Sequence, residues 1–197
     1  GASYSFDLIP DADGTLTVDI AANVAIDAAS NGNIIATQLS VDYDSTAPTV
    51  SIATASSSPT NDNPIPVTIT FSESVTGFES TDVTINGGSI TNFTGSGANY
   101  SLDLIPSVDG TLAVDIMANV AIDVANNGNT VATQLSVDYD GTAPAVSIAT
   151  TSSSPTNSKS IPVTVTFSES VTGFESADLT ISGGALTDFT GSGASYS

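Results

Sequence analysis

The sequence predicts an all-β chain made of small antiparallel sandwiches in tandem, and three observations predict it. The first is repetition. Gly1-Ala2-Ser3-Tyr4-Ser5 returns as Gly97-Ala98-Asn99-Tyr100-Ser101 and again as Gly193-Ala194-Ser195-Tyr196-Ser197, a period of 96 residues. Residues 1–46 differ from 97–142 at 11 positions, and 47–101 differ from 143–197 at 13. Such a period exceeds that of solenoid repeats and matches one small domain per repeat. The second is short runs in which apolar and polar residues alternate, as in strands with one buried and one wet face. The third is the regular placing of Gly, Pro, Asn, Asp and Ser between those runs, with no long helical pattern.

Residues 47–142 hold one whole period. Val50 and Ile52 define strand A, and Val67, Ile69 and Phe71 define strand B beyond the Ser56–Pro64 break. Val83 and Ile85 form C, which ends at Asn86-Gly87-Gly88; Ile90 to Phe93 form D, which ends at Gly95-Ser96-Gly97. Tyr100, Leu102 and Leu104 form E, and Leu112, Val114 and Ile116 form F beyond Asp109-Gly110. Val131, Leu135 and Val137 form G, after Asn127-Gly128-Asn129. Met117 to Asn126 is rich in Ala and Val but short and without a helical stripe, so it is an irregular loop with at most one helical turn. Seven strands in so few residues indicate an immunoglobulin-like sandwich. The expected architecture is therefore tandem Ig-like seven-stranded antiparallel β-sandwiches arranged end to end.

The expected domains are residues 1–46 (strands E to G), 47–142 (a complete repeat) and 143–197 (strands A to D). If each strand reverses direction, an odd number puts the beginning and finish of a domain at opposite poles. Repeats then stack as a rod, each roughly 25–35 Å long. The linker Asp138–Pro144 is short, and Pro144 restricts both itself and its neighbour, giving a semi-rigid junction. The chain lacks an initial Met and a visible leader, as expected of a stretch from a longer secreted protein. The half-repeats at its ends also suggest an alternative, in which half-domains of successive chains complete each other and propagate a filament.

Composition narrows the function. Twenty-one acids face a single base, Lys159, with no His, for a net charge of −20. That charge excludes electrostatic binding to nucleic acid or to anionic membrane, and no apolar run is long enough for membrane insertion. The partners expected are neighbouring repeats of the same chain, or of adjacent chains in a filament. The 40% hydrophobic content argues against disorder. With no His, no Cys and no Lys in residues 47–142, the usual acid-base and nucleophile pairs are missing, so the chain is not expected to be an enzyme. The absence of Trp and the inward placing of most Phe and Tyr argue against a sugar platform. Outward threonines such as Thr68 and Thr70 are ordinary on half-exposed strands.

Small domains often need a staple beyond the core. Without Cys there is no disulfide, and without Lys in the complete repeat there is no isopeptide bond. A hard cation held by oxygen ligands is what remains, and Ca2+ is the expected cofactor. Topology gathers Glu73, Glu79 and Asp82 from the B–C connection and Asp123, Asn127 and Asn129 from the F–G connection at one pole. The incoming linker adds Asp42 and Asp44. Converging carboxylates repel unless a cation sits among them. All four glutamates lie in the two copies of FSESVTGFES, and Asp27, Asp138, Asp140, Glu169 and Asp178 repeat the pattern in neighbouring copies. The candidate metal ligands are thus Asp42, Asp44, Glu73, Asp82, Asp123 and Asn129, with Asp27, Asp138, Asp140 and Glu169 as counterparts. Asp13 and Asp109 lie in Asp-Gly turns at the opposite pole, where a tight hairpin turn accounts for them.

Thr46-Ala47-Pro48-Thr49-Val50-Ser51-Ile52, followed by Val67–Phe78 (VTITFSESVTGF) and closed by Ala121-Ile122-Asp123 and Asn127-Gly128-Asn129, resembles the bacterial immunoglobulin-like repeats of large secreted adhesins and other cell-surface proteins. The resemblance covers the whole chain. It implies an Ig-like sandwich, an extracellular location on the bacterial surface, and a spacer between an anchor and a distal binding domain. In calcium-dependent members, ions at domain junctions stiffen the rod; other members bind no metal.

Overall fold

The computed structural model describes residues 3–197, which divide into two compact units, the first ending at Gly141 and the second spanning Thr142–Ser197. The first contains β1 (Gly14–Val18), β2 (Leu39–Tyr43), β3 (Val50–Thr54), β4 (Ile65–Val75), β5 (Val83–Asn86), β6 (Gly88–Pro106), β7 (Gly110–Ile116) and β8 (Leu135–Tyr139). The second contains β9 (Val146–Thr150), β10 (Val163–Val171) and β11 (Gly191–Tyr196). Among the described residues the only helical turns are the 3-10 segments Ser80–Asp82 and Ser176–Asp178.

Within the complete repeat, β3, β4 and β6 pair antiparallel in that order, and β5, β7 and β8 form a second antiparallel sheet. Period-two patterning sets the register. Ile52 faces Ile69, Val67 faces Leu102, and Ile85 faces Val114. Along β4, Ile65, Val67, Ile69 and Phe71 are buried while Pro66, Thr68, Thr70 and Ser72 are exposed.

β6 cannot be one straight strand. At about 3.3 Å per residue its ends would lie roughly 60 Å apart. Instead, a Cβ on Gly88 would strike the carbonyl oxygen of Ile105, and one on Gly95 would strike that of Asn99. Between these points the Asn92 amide donates to the Asp103 carboxylate at 2.7 Å. β6 is therefore a hairpin, turning about residues 95–98, where Gly95 and Gly97 hold φ of +136° and +63°. Its two arms are the fourth and fifth strands expected from sequence. Seven strands then divide four and three between the sheets, the partition of a constant-type immunoglobulin sandwich.

One core joins the two sheets. Ile65, Ile69, Leu104, Leu112, Ile116 and Val114 are almost fully inaccessible and belong to a single cluster. At one end of it Phe71, Phe78, Phe93 and Tyr100 pack with ring centroids 5.0–5.9 Å apart, mostly edge to face. The last strand starts later than the sequence suggests. Val131 is 61% exposed and β8 begins only at Leu135. Before that point the chain is tied by single bonds, Thr130 N–H to Pro48 O and Ala132 N–H to Ile116 O, rather than by a ladder.

The flanking segments reproduce the same pairings. Gly14 faces Tyr43 as Gly110 faces Tyr139, and Val165 faces Ile148 and Tyr196 as Ile69 faces Ile52 and Tyr100.

Candidate metal centre

Three segments bring carboxylates together in the first unit. Asp44 lies just beyond β2, Glu73 near the end of β4, and Asp123 in the connection between β7 and β8. One oxygen of each lies within 4.8 Å of the others. Asp44 and Glu73 are half-buried, and Asp123 is only 3% exposed.

Each position follows from local sequence. The β4–β6 ladder breaks after Thr70, which faces Asn99, and resumes with Val75 facing Gly97. The extra residues form a bulge that takes Glu73 off the ladder. Asp123 organises its own turn. Its carboxylate accepts the Asn127 backbone N–H at 2.8 Å and the Asn127 side-chain amide at 2.9 Å. Asn126, at φ +69°, supplies the left-handed residue that closes the turn. Asp44 is held twice: its carboxylate accepts the Thr46 N–H at 3.0 Å, and its carbonyl accepts the Asn127 amide at 3.1 Å.

The electrostatics of the three differ. Burial, then the charges of Asp123 and Asp44, push the Glu73 carboxyl above its usual range. Burial also opposes the charge on Asp123, but the donors from Asn127 and from the Ala125 and Asn126 backbone outweigh it and hold that carboxyl low. Asp123 is thus a firm anion beside a glutamate resisting ionisation. The complete repeat contains no base to relieve the strain. Carboxylate oxygens from three segments are the hard donor type that Ca2+ takes.

The other candidates lie elsewhere. Asp42 and Asp138 accept the hydroxyls of Thr15 and Thr111 at 2.6 Å, across the β1–β2 and β7–β8 ladders. Asp82 accepts the Glu79 N–H at 2.8 Å and closes the 3-10 turn; Glu79 itself is exposed. Asn129 is buried with every polar atom engaged. Its Oδ1 accepts from Val120 and Ala121 N–H, and its Nδ2 donates to Met117 and Thr130 carbonyls, all at 2.8–2.9 Å. It braces the loop that presents Asp123. Asp27 makes the turn bonds of Asp123 in the preceding copy, to Ala29 and Asn31, but is exposed. Asp140 is exposed and its N–H donates to Thr60 O at 2.9 Å; Glu169 is half-buried in β10. A third counterpart for these last two would fall past residue 197.

Sequence reasoning missed the full use of Asp13. Its carboxylate accepts the Ser45 N–H and hydroxyl, both at 2.8 Å, and the Thr46 hydroxyl. The identical Asp-Gly turns at 13–14 and 109–110, whose aspartates each stand 32 residues before the linker residue they engage, were the available signal.

The family model of the bacterial Ig-like domain matches residues 44–139 and 140–197. Comparisons with curated proteins and with solved structures found no match. Bacterial Ig-like domains are structural, non-catalytic modules that typically occur in extracellular or surface proteins. Among the described residues no helix is long and apolar enough to cross a membrane. With two successive matches over most of its length, on strands that form the expected sandwich, this chain belongs to the bacterial Ig-like domain family.

Proposed function

We propose that this chain is an extender segment of a bacterial cell-surface adhesin or extracellular fibre, stiffened where domains meet by Ca2+ held between Asp44, Glu73 and Asp123. One observation carries the reading: oxygens of Asp44, Glu73 and Asp123 lie within 4.8 Å of one another in a repeat that has no base to neutralise them, and burial with the two neighbouring charges pushes the Glu73 carboxyl up accordingly. A divalent cation would turn this repulsion into attraction and tie the linker to two parts of the following sandwich. The lone Lys159 and the absence of His and Cys leave catalysis without its usual groups.

Calorimetric titration of the 197-residue chain tests the reading. Among the described residues, Asp44, Glu73 and Asp123 are the one cluster with a full set; Asp27 has no glutamate beside it, and the aspartate that would join Asp140 and Glu169 falls past residue 197. The expected result is one Ca2+ per chain, weaker binding of Mg2+, and no binding after Asp123→Asn, which keeps the turn-forming shape. No heat with Ca2+ would leave the cluster as a solvated acidic junction.

A further inference from the structure

The linker is gripped from its other side as well. β1 begins at Gly14 opposite Tyr43, the last residue of β2, so Asp13 stands where the chain leaves the sheet. Gly14 holds φ +141°, a conformation that L side chains avoid, and this turn directs Asp13 over the outgoing chain. Both carboxylate oxygens are engaged, one by the Ser45 N–H and hydroxyl, the other by the Thr46 hydroxyl. The arrangement recurs 96 residues later. Gly110, at φ +135°, faces Tyr139, and Asp109 accepts the Gly141 N–H at 2.7 Å.

We propose that Asp13 and Asp109 are linker latches: each turn carboxylate takes up the donors of the outgoing linker and fixes its direction without a metal. The argument is geometric. A linker of alternative conformations would need a donor set that follows it, whereas these donors meet one carboxylate at one register, twice. Charge assists, since hydrogen bonds to an ionised acceptor are stronger than neutral ones. The depressed pKa of Asp13, caused first by the Thr46 hydroxyl and then by Ser45, accords with that. This device stands apart from the calcium reading and operates on the preceding side of the junction.

The test is residue-resolved amide exchange and 15N relaxation on the 197-residue chain in chelator. Ser45 and Gly141 N–H should be protected in the parent protein. Asp13→Ala should speed exchange at Ser45 tenfold or more and loosen residues 45–46, leaving Gly141 unchanged; Asp109→Ala should do the reverse. Thr46→Val, which removes one hydroxyl and no charge, should give a smaller loosening at the same residues. Unprotected Ser45 and Gly141 in the parent, or exchange unmoved by the variants, would overturn the proposal. Because the measurement is made without calcium, its failure leaves the metal centre standing, and failure of calcium binding leaves the latch standing.

Discussion

Residue for residue, the complete repeat and the segments flanking it differ little in sequence and greatly in burial. Leu104 is fully buried, and its counterpart Leu8 is 43% exposed. Ile116 and Ile20 stand at 0% and 51%, Tyr100 and Tyr4 at 8% and 91%, Ile65 and Ile161 at 0% and 50%. Yet β1 and β2 pair in the register of β7 and β8, and β9 and β10 in that of β3 and β4. Pairing is written locally, in alternation and turn residues. Burial needs the facing sheet, which residues 3–46 and 142–197 do not each supply by themselves. The same holds for the metal centre. Asp27 makes the turn of Asp123, but only Asp123 has Glu73 beside it.

The largest effect should come from truncating matched core positions. Leu104→Ala should cost about 2–5 kcal/mol in urea unfolding, and Leu8→Ala no more than about 0.5 kcal/mol. Equal losses would mean that Leu8 is buried in solution and would favour chain-to-chain completion of the half-domain. Next come the loop braces. Asn33 repeats the bonds of Asn129, to Val24 and Ala25 N–H and to two carbonyls, on a less buried loop. Asn129→Ala should cost about 1–3 kcal/mol by stranding buried backbone groups, and Asn33→Ala clearly less, by the same unfolding measurement. The smallest effect concerns pH at the first latch. A carboxyl lowered on folding contributes stability that is fully present above its unfolded value, 3.8, and is lost as pH falls through the folded one. The protection of the Ser45 N–H, its exchange rate relative to the intrinsic rate at each pH, should therefore hold down to pH 3.8 and fall only below it, which an exchange series from pH 6 down would reveal.

Much of this was legible in the sequence. Most of the strands followed from alternation, and the hairpin within β6 from Gly95-Ser96-Gly97, but the last strand begins at Leu135 and not at Val131. Asp44, Glu73 and Asp123 could be grouped because strand count alone decides which connections share a pole. What could not be read depended on register and on side-chain competition. Asp42 and Asp138 prove to lie inside β2 and β8, where the strands run into the linker, and their cross-strand partners are threonines. Asn129 has the chemistry of a ligand, but the Val120 and Ala121 N–H groups already claim its oxygen. Asp13 and Asp109 looked complete as turn residues, because nothing in an Asp-Gly pair says which donors lie across from it.

The most direct test of the central claim is a thermal melt of the chain and of Glu73→Gln, each in excess calcium and in chelator. In chelator the variant should melt above the parent, because neutralising Glu73 removes the repulsion from Asp123 and Asp44. Calcium at about 100 times its dissociation constant should then stabilise the parent by about 2.7 kcal/mol, several degrees in midpoint, and leave the variant unmoved. A parent that melts identically in calcium and chelator would contradict the account, and the acidic junction would then be a solvated linker held by its hydrogen bonds alone.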